Sequence, residues 1–498
     1  MSVLKTDCDI LIIGFGPVGA AMAALLGRHG RSVVAIDAQH DVYPLPRAAH
    51  FDHEIMRIFQ ELGIIDRVAP HIRVAPNYEF RAADGRPLMR VEREGVNGIS
   101  GWPTGFNFYQ PGVEAAMRSK VSEMPHVDVR LGTKFVAVDS AGAEDVVVRT
   151  DSESEGILSC RARFVIGCDG ASSSLREACG IALDDYGFDE PWLVLDALVE
   201  DESRFPTMNL QLCDPERPTT FVHMGPGRLR WEFMLKPGEA AEDMRRPESV
   251  DALLRPWRDK GEIKVERTAV YRFHGLVARS WRQGRILLAG DAAHQMPPFM
   301  GQGLCSGLRD AANLAWKLDS VLDTGNLSLL DTYQAERDPH VRTVIERAIE
   351  MGRLVCTLDP VRAARRDADM LPNPQITRAS PLPGISGLTL DDSPAAGTLF
   401  PQPPQQADMA GLDDILGSGA WLVHRGSAPL CRKRPGLKIV PIESTLPADM
   451  AALVTGWLDG HNIDAVLVRP DRYIFGTGTA QMLCDAWMRS IDNERLAA

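Results

Sequence analysis

Gly14, Gly16 and Gly19 stand at GxGxxG spacing inside "DILIIGFGPVGAAMAALLGRHGRSVVAID" (residues 9–37), and the stretch ends in an acid, Asp37. Glycines so spaced suit a diphosphate. The first permits a tight turn, the second lets the backbone approach the pyrophosphate, and the third lets helix and strand pack closely. Pro17 and Val18 open the helix, whose free N–H groups and positive dipole end favour phosphate. Asp37, with Ala38 beside it, is placed to accept hydrogen bonds from a ribose. A dinucleotide site is expected here.

Two later stretches decide which dinucleotide. "FVIGCDGASSSLREACG" (164–180) reads as a strand running into Asp169-Gly170, then a helix carrying Arg176. "GRILLAGDAAHQMPPFMGQGLCSGLRDAANLAWKL" (284–318) reads as a strand ending in Gly290-Asp291, a Pro-rich loop, then Gly301-Gln302-Gly303-Leu304 opening a long helix. An acid such as Asp291 can hold a ribityl hydroxyl. The helix N-terminus can stabilise negative charge on a reduced flavin ring. Pro297, Pro298 and Phe299 form a dry wall beside it, useful where water hastens wasteful loss of peroxide. No second nicotinamide-type fingerprint occurs, so FAD is expected as the bound cofactor.

The elements that must position these residues are legible in outline. Ile10–Ile13 and Ser32–Ile36 are short buried strands around a helix, Ala20–Gly30. "PTTFVHMG" and "RLRWEFMLK", within residues 182–274, alternate as antiparallel strands do. Alternate positions share a face, so Trp231 and Phe233, with His223, are expected to line a substrate pocket. "FDHEIMRIFQELG" places Asp52 directly before an amphipathic helix, an N-cap position.

The 498 residues carry a formal charge of −13, 45% hydrophobic and 24% charged side chains. The acidic balance argues against nucleic acid. No apolar run is long enough for a membrane span, and none has the flanks of a signal peptide. A cytoplasmic protein is expected. The nine cysteines are scattered singly, without CxxC or zinc spacing, so reduced thiols and no metal are expected.

The three motifs resemble those of the single-component FAD aromatic hydroxylases, the para-hydroxybenzoate hydroxylase fold. "RWEFML", "PRAAHFDHEIMRIFQELGI" and "VYRFHGLVARSWRQGRILLAGDAAHQMPPFMGQG" are most similar to 3-(3-hydroxyphenyl)propionate hydroxylases, over residues 5–355. The resemblance implies an α/β chain with a Rossmann-like FAD domain (1–181 and 275–355) and an antiparallel substrate sheet (182–274). A linker (356–395) and a thioredoxin-like C-terminal domain (396–498) follow, the last with a structural or homodimer-supporting role. It implies non-covalent FAD held by Gly14, Gly16, Gly19 and Asp37, with Arg47, Gln110 and Asp291 as further contacts. Asp169 would be structural and also serve reduced nicotinamide. Asp52 matches an acid that deprotonates the substrate phenol, whose ordinary pKa is near ~10.

The implied reaction is ortho-hydroxylation of a phenolic acid by O2 and NADH or NADPH. A polyketide-tailoring hydroxylase, or a resorcinol or other phenol hydroxylase, is the alternative. A non-catalytic flavin protein is disfavoured by the intact Gly301–Gly303 turn and Asp52. A flavin halogenase is disfavoured because no WxWxIP stretch occurs.

Overall fold

The computed structural model describes residues 7–378, 382–390, 393–405, 410–432 and 434–492. Its N-terminal α/β domain is built on the strand Cys8–Ile13, which pairs in parallel with Val33–Asp37 on one side and Gly156–Gly167 on the other. Val127–Leu131 and Ile286–Leu288 extend the parallel sheet outward. The helix Pro17–Arg28 is buried continuously from Gly19 to Gly27. Its small side chains let it lie between this sheet and the helices Gln110–Ser122 and Gly303–Thr324.

A nine-stranded sheet roofs this domain. Its central strands are Leu183–Val199, Arg228–Met234, Thr219–His223 and Ile263–Ala278. The expected boundaries of 182–274 are too narrow. Tyr78–Ala82 and Pro87–Glu92 also belong to this sheet, joined through Asn209–Cys213. Gln375–Arg378, expected as linker, pairs in parallel with Pro87–Glu92 as its exposed edge.

Alternation along the roof strands separates two faces. Leu193, Leu195, Leu229, Trp231 and Phe233 point outward into a core closed by the helix Pro247–Leu254 and Trp257. Trp192 and Met234 point inward, into the core shared with the α/β domain.

The C-terminal domain carries a sheet in the order Leu437–Pro441, Ala420–His424, Ala465–Val468, Ile474–Gly478. The first pair is parallel and the others antiparallel. Ala448–His461 and Ala480–Asp492 flank it. This is the thioredoxin-like arrangement, with a loop instead of a helix between its first two strands. The expectation that every cysteine stands free is corrected here. The loop after Ala420–His424 lies against Ala480–Asp492, which brings Cys431 and Cys484 into a disulfide with Cα atoms 6.2 Å apart.

Candidate active site

The glycine turn behaves as its spacing requires. Gly14 has φ +95°, and a Cβ there would meet the Cys168 carbonyl oxygen at 2.4 Å. A Cβ at Gly19 would meet the Gly14 carbonyl oxygen at 2.0 Å, so helix and strand touch. A Cβ at Gly16 would meet nothing within 4 Å. Open space therefore lies over the helix N-terminus, whose free N–H groups favour an anion. Asp37 accepts from the Phe15 N–H at 2.7 Å and the Gln39 N–H at 2.8 Å, locking the turn to the second strand.

Asp291 lies on a turn packed against the start of the same helix, where a Cβ at Gly290 would meet Val18 at 3.0 Å. Protein surrounds it and burial raises its pKa, yet its carboxylate is uncovered, and no described residue hydrogen-bonds to it. The turn beneath is rigid. Asp310 accepts from the Gly290 N–H at 3.0 Å and from Arg337 at 2.9 Å, and pairs with His294 at 2.6 Å. Arg47 stands on a loop held at both ends. Gln110 Oε1 accepts from the N–H groups of Arg47 (2.7 Å) and Ala48 (2.8 Å), while Arg230 donates to the carbonyls of Pro46 and Arg47. Gln110 thus places the Arg47 loop. Asp169 accepts from Ser173 and from the Leu175 N–H, and so fixes the start of the helix Ser174–Ala178.

Gly301 (φ +65°) turns the chain into the helix Gly303–Thr324, with Gln302 at its N-cap. Asp52 lies behind it. The structure shows the cap role: Asp52 Oδ1 accepts from the Glu54 N–H at 3.1 Å. Its Oδ2 accepts from Arg309 and, at 3.1 Å, from Gln302. Burial alone would raise the Asp52 pKa, but the Arg309 guanidinium beside it holds the carboxyl well below the usual range. The Asp52 carboxylate is thus shared between Arg309 and Gln302.

His50, two residues earlier, escaped the sequence reading although it lies inside "PRAAHFD". Its ring is wedged between Gly105 and Gly301, beside the Gly301 backbone. Burial pushes its pKa down to about 3, so it is neutral at working pH.

The expected pocket residues of the roof are placed otherwise. Trp231 and Phe233 share a face, but it is the outer one, where Trp231 meets Trp257, Phe221 and Phe205. The side-chain period fixes which residues face together, not which face looks inward. His223 is drawn to the sheet's end, its Nε2 2.7 Å from the Pro206 carbonyl oxygen and its Nδ1 3.5 Å from Glu202. The inward face presents Trp192, Glu232 and Thr220 instead, continued by Tyr78 and Gln211. Gln211 Oε1 accepts from both the Tyr78 hydroxyl, at 3.0 Å, and the Thr220 hydroxyl, at 2.9 Å. Pro297 and Pro298 flank the start of the turn Pro298–Met300, and Phe299 meets Trp192, Phe188 and Phe273 edge-on at 5.8–6.1 Å. An apolar wall stands there.

The C-terminal domain supports this site from behind. Tyr473 donates to Glu54 Oε1 at 2.9 Å, and Glu54 in turn pairs with Arg309. Arg57 binds Asp413 through two bonds of 2.7 and 2.8 Å. Glu336 takes Arg469 and Lys317 together.

Comparison with known proteins accords with this geometry. Residues 7–348 match the family described as FAD binding domain. The chain is 39% identical over 491 residues to a Rhodococcus jostii (strain RHA1) protein named "Probable NADH-specific resorcinol 4-hydroxylase", covering 94% of this chain and 91% of the relative. It is 33% identical over 521 residues to a 3-(3-hydroxy-phenyl)propionate/3-hydroxycinnamic acid hydroxylase of Mycobacterium sp. (strain JLS), covering 96% and 90%. Aklavinone-11 hydroxylase, solved with FAD and aklavinone, superposes with a TM-score of 0.80 at 21% identity, over 98% of this chain and 100% of that one. With the matching domain over most of its length and hydroxylases among its full-length relatives, the chain belongs to the FAD-dependent aromatic monooxygenases.

Proposed function

We propose that this enzyme hydroxylates a phenolic acid of the 3-(3-hydroxyphenyl)propionate type on the carbon ortho to its hydroxyl. NADH, a proton and O2 are consumed, and NAD+ and water leave with the diol. The observation carrying this reading is the open Cβ position of Gly16 over a helix N-terminus, with the exposed Asp291 carrying no hydrogen bond from a described residue. The space over Gly16 and Asp291 fits a dinucleotide, and beyond His50 the polar inner wall of the roof fits an oxygen-bearing ring. Bound FAD, once reduced, supplies the activation of O2 and delivery of one oxygen atom to that ring. Gly14, Gly16, Gly19 and Asp37 would hold its adenosine and pyrophosphate. Arg47 and Asp291 would hold the chain between them, and the N–H groups of Gly303 and Leu304 the ring edge where charge develops. Asp52 serves this arrangement by orienting Gln302 and Arg309. A carbon meta to the hydroxyl is disfavoured chemically, because an electron-rich phenol attacks through its ortho and para carbons, and position 4 of resorcinol is ortho to one hydroxyl and para to the other.

A second reading has support of its own: the relative named as a resorcinol hydroxylase is more similar in sequence than the phenylpropionate hydroxylases. A panel of phenolic acids and simple phenols, assayed for accelerated NADH oxidation with an 18O2-derived oxygen in the product, separates the two. If no phenol accelerates NADH oxidation in the FAD-loaded enzyme, the proposal fails.

A further inference from the structure

Arg93 is a half-buried cation without a counter-ion among the described residues. It follows the strand Pro87–Glu92, and its backbone is fixed by Asn77, whose Oδ1 accepts from the N–H groups of Arg93 (2.8 Å) and Glu94 (3.2 Å). Its guanidinium sits 5.8 Å from the centre of the Tyr78 ring. Among the described residues no carboxylate stands within 4 Å of it, and it donates no side-chain hydrogen bond. The charges that reach it are those of His50, Tyr78 and Asp52. Asp52 is already committed to Arg309 and His50 is neutral. Burial depresses the Arg93 pKa, yet Arg93 and Tyr78 are each only half-buried, so neither is sealed in a packed core.

A buried guanidinium left unpaired is costly, and elsewhere in this chain the cost is avoided. Arg57, Arg230, Arg309 and Arg469 each have a carboxylate. At Arg93 the missing partner must come from outside. Through the proposed phenol hydroxylation, on which this step rests, we infer that Arg93 determines substrate choice by taking an anionic oxygen of the aromatic substrate. Two sources share that chemistry. A side-chain carboxylate matches the planar fork of the guanidinium in two parallel bonds. A ring phenolate would be favoured over the phenol by the same charge.

The test titrates the FAD-loaded enzyme with three probes and follows the flavin absorbance change on binding. The probes are 3-phenylpropionate (acid only), resorcinol (phenol only) and 3-(3-hydroxyphenyl)propionate. Arg93→Met should weaken binding of the recognised class by roughly 30-fold or more, the usual effect of removing one partner of a buried charged pair. Arg93→Lys should recover part of it. Loss confined to the two acids identifies the carboxylate. Loss for resorcinol and the phenolic acid, with wild-type affinity rising toward alkaline pH, identifies the phenolate. Unchanged affinity for all three in a variant with wild-type FAD content and melting temperature overturns the inference. Arg93→Gln provides the same comparison should the methionine variant not fold. A wild-type enzyme whose NADH oxidation no phenol accelerates would overturn the functional reading instead.

Discussion

Arg309, in the helix Gly303–Thr324, donates through Nη2 to Asp52, the residue capping the helix His53–Leu62. The same guanidinium reaches Glu54 and the Gln302 side chain, the latter at 2.9 Å. One buried cation therefore joins the N-termini of two helices. It also fixes the turn from which the ring edge of the flavin would be held.

Replacing Arg309 by Met should unfold that junction, because two buried carboxylates lose their cation. A loss of ~3–5 kcal/mol is expected from removing one partner of a buried pair, read by urea unfolding of the FAD-loaded protein. Asp52→Asn is milder, since an amide still accepts from the Glu54 N–H. The Asp52 carboxyl is depressed in the folded state, so its stabilisation is full above the ordinary carboxylate pKa of about 4 and fades as pH falls below it. The stability gap between wild type and Asp52→Asn should therefore be constant from pH 8 to 5 and shrink in stronger acid. A gap that stayed constant into strong acid would show an unshifted carboxyl.

Gly16→Val tests the proposed diphosphate site cleanly. No protein atom lies within 4 Å of the added Cβ, so the folded apoprotein should keep its melting temperature. FAD should be absent after purification, because the branched side chain takes the volume of the diphosphate. Stoichiometric FAD in this variant would move the site elsewhere.

Asp291→Ala removes an uncovered carboxylate with no hydrogen-bond partner among the described residues. Apoprotein stability should hold or rise slightly. FAD affinity should fall by ~1–3 kcal/mol, the cost of leaving a buried ligand hydroxyl unpaired, measured by fluorescence titration of the apoprotein. Equal affinity would exclude the contact.

Trp231→Ala separates a core residue from a pocket residue. In the outer core it should cost ~3–5 kcal/mol of stability. KM for the phenol should stay within about twofold in the folded fraction at low temperature. A large rise in KM with little loss of stability would restore Trp231 to the pocket.

The two glycine-bearing units of this protein were legible as structure because their signals are local. Gly14, Gly16, Gly19 and Asp37 lie on one strand–turn–helix–strand unit, and Gly290-Asp291 with Gly301–Gly303 on another. The roof was half legible: alternation paired Trp231 with Phe233 correctly, but the inward face was set by what packs against the sheet. Gln375–Arg378 is wholly exposed and becomes a strand only through its partner at Met89–Glu92. Arg93, Asp52–Arg309 and Tyr473–Glu54 join residues far apart in the chain, and no periodicity carries that information. His50 was a matter of role rather than position, since burial between two glycines is what distinguishes it from a surface histidine.

Glu54 and Tyr473 are 419 positions apart, and Arg57 and Asp413 are 356 apart. The ribosome releases roughly 5–20 residues per second, so Glu54 waits on the order of 20–80 s for its hydroxyl partner during synthesis. Throughout that interval the nascent α/β domain carries the charged side of the helix His53–Leu62 in water. Its mature, enclosed form is reached only when the last domain docks. A chain ending before residue 413 would leave the Arg57 guanidinium, buried against Asp413 in the mature fold, without its carboxylate.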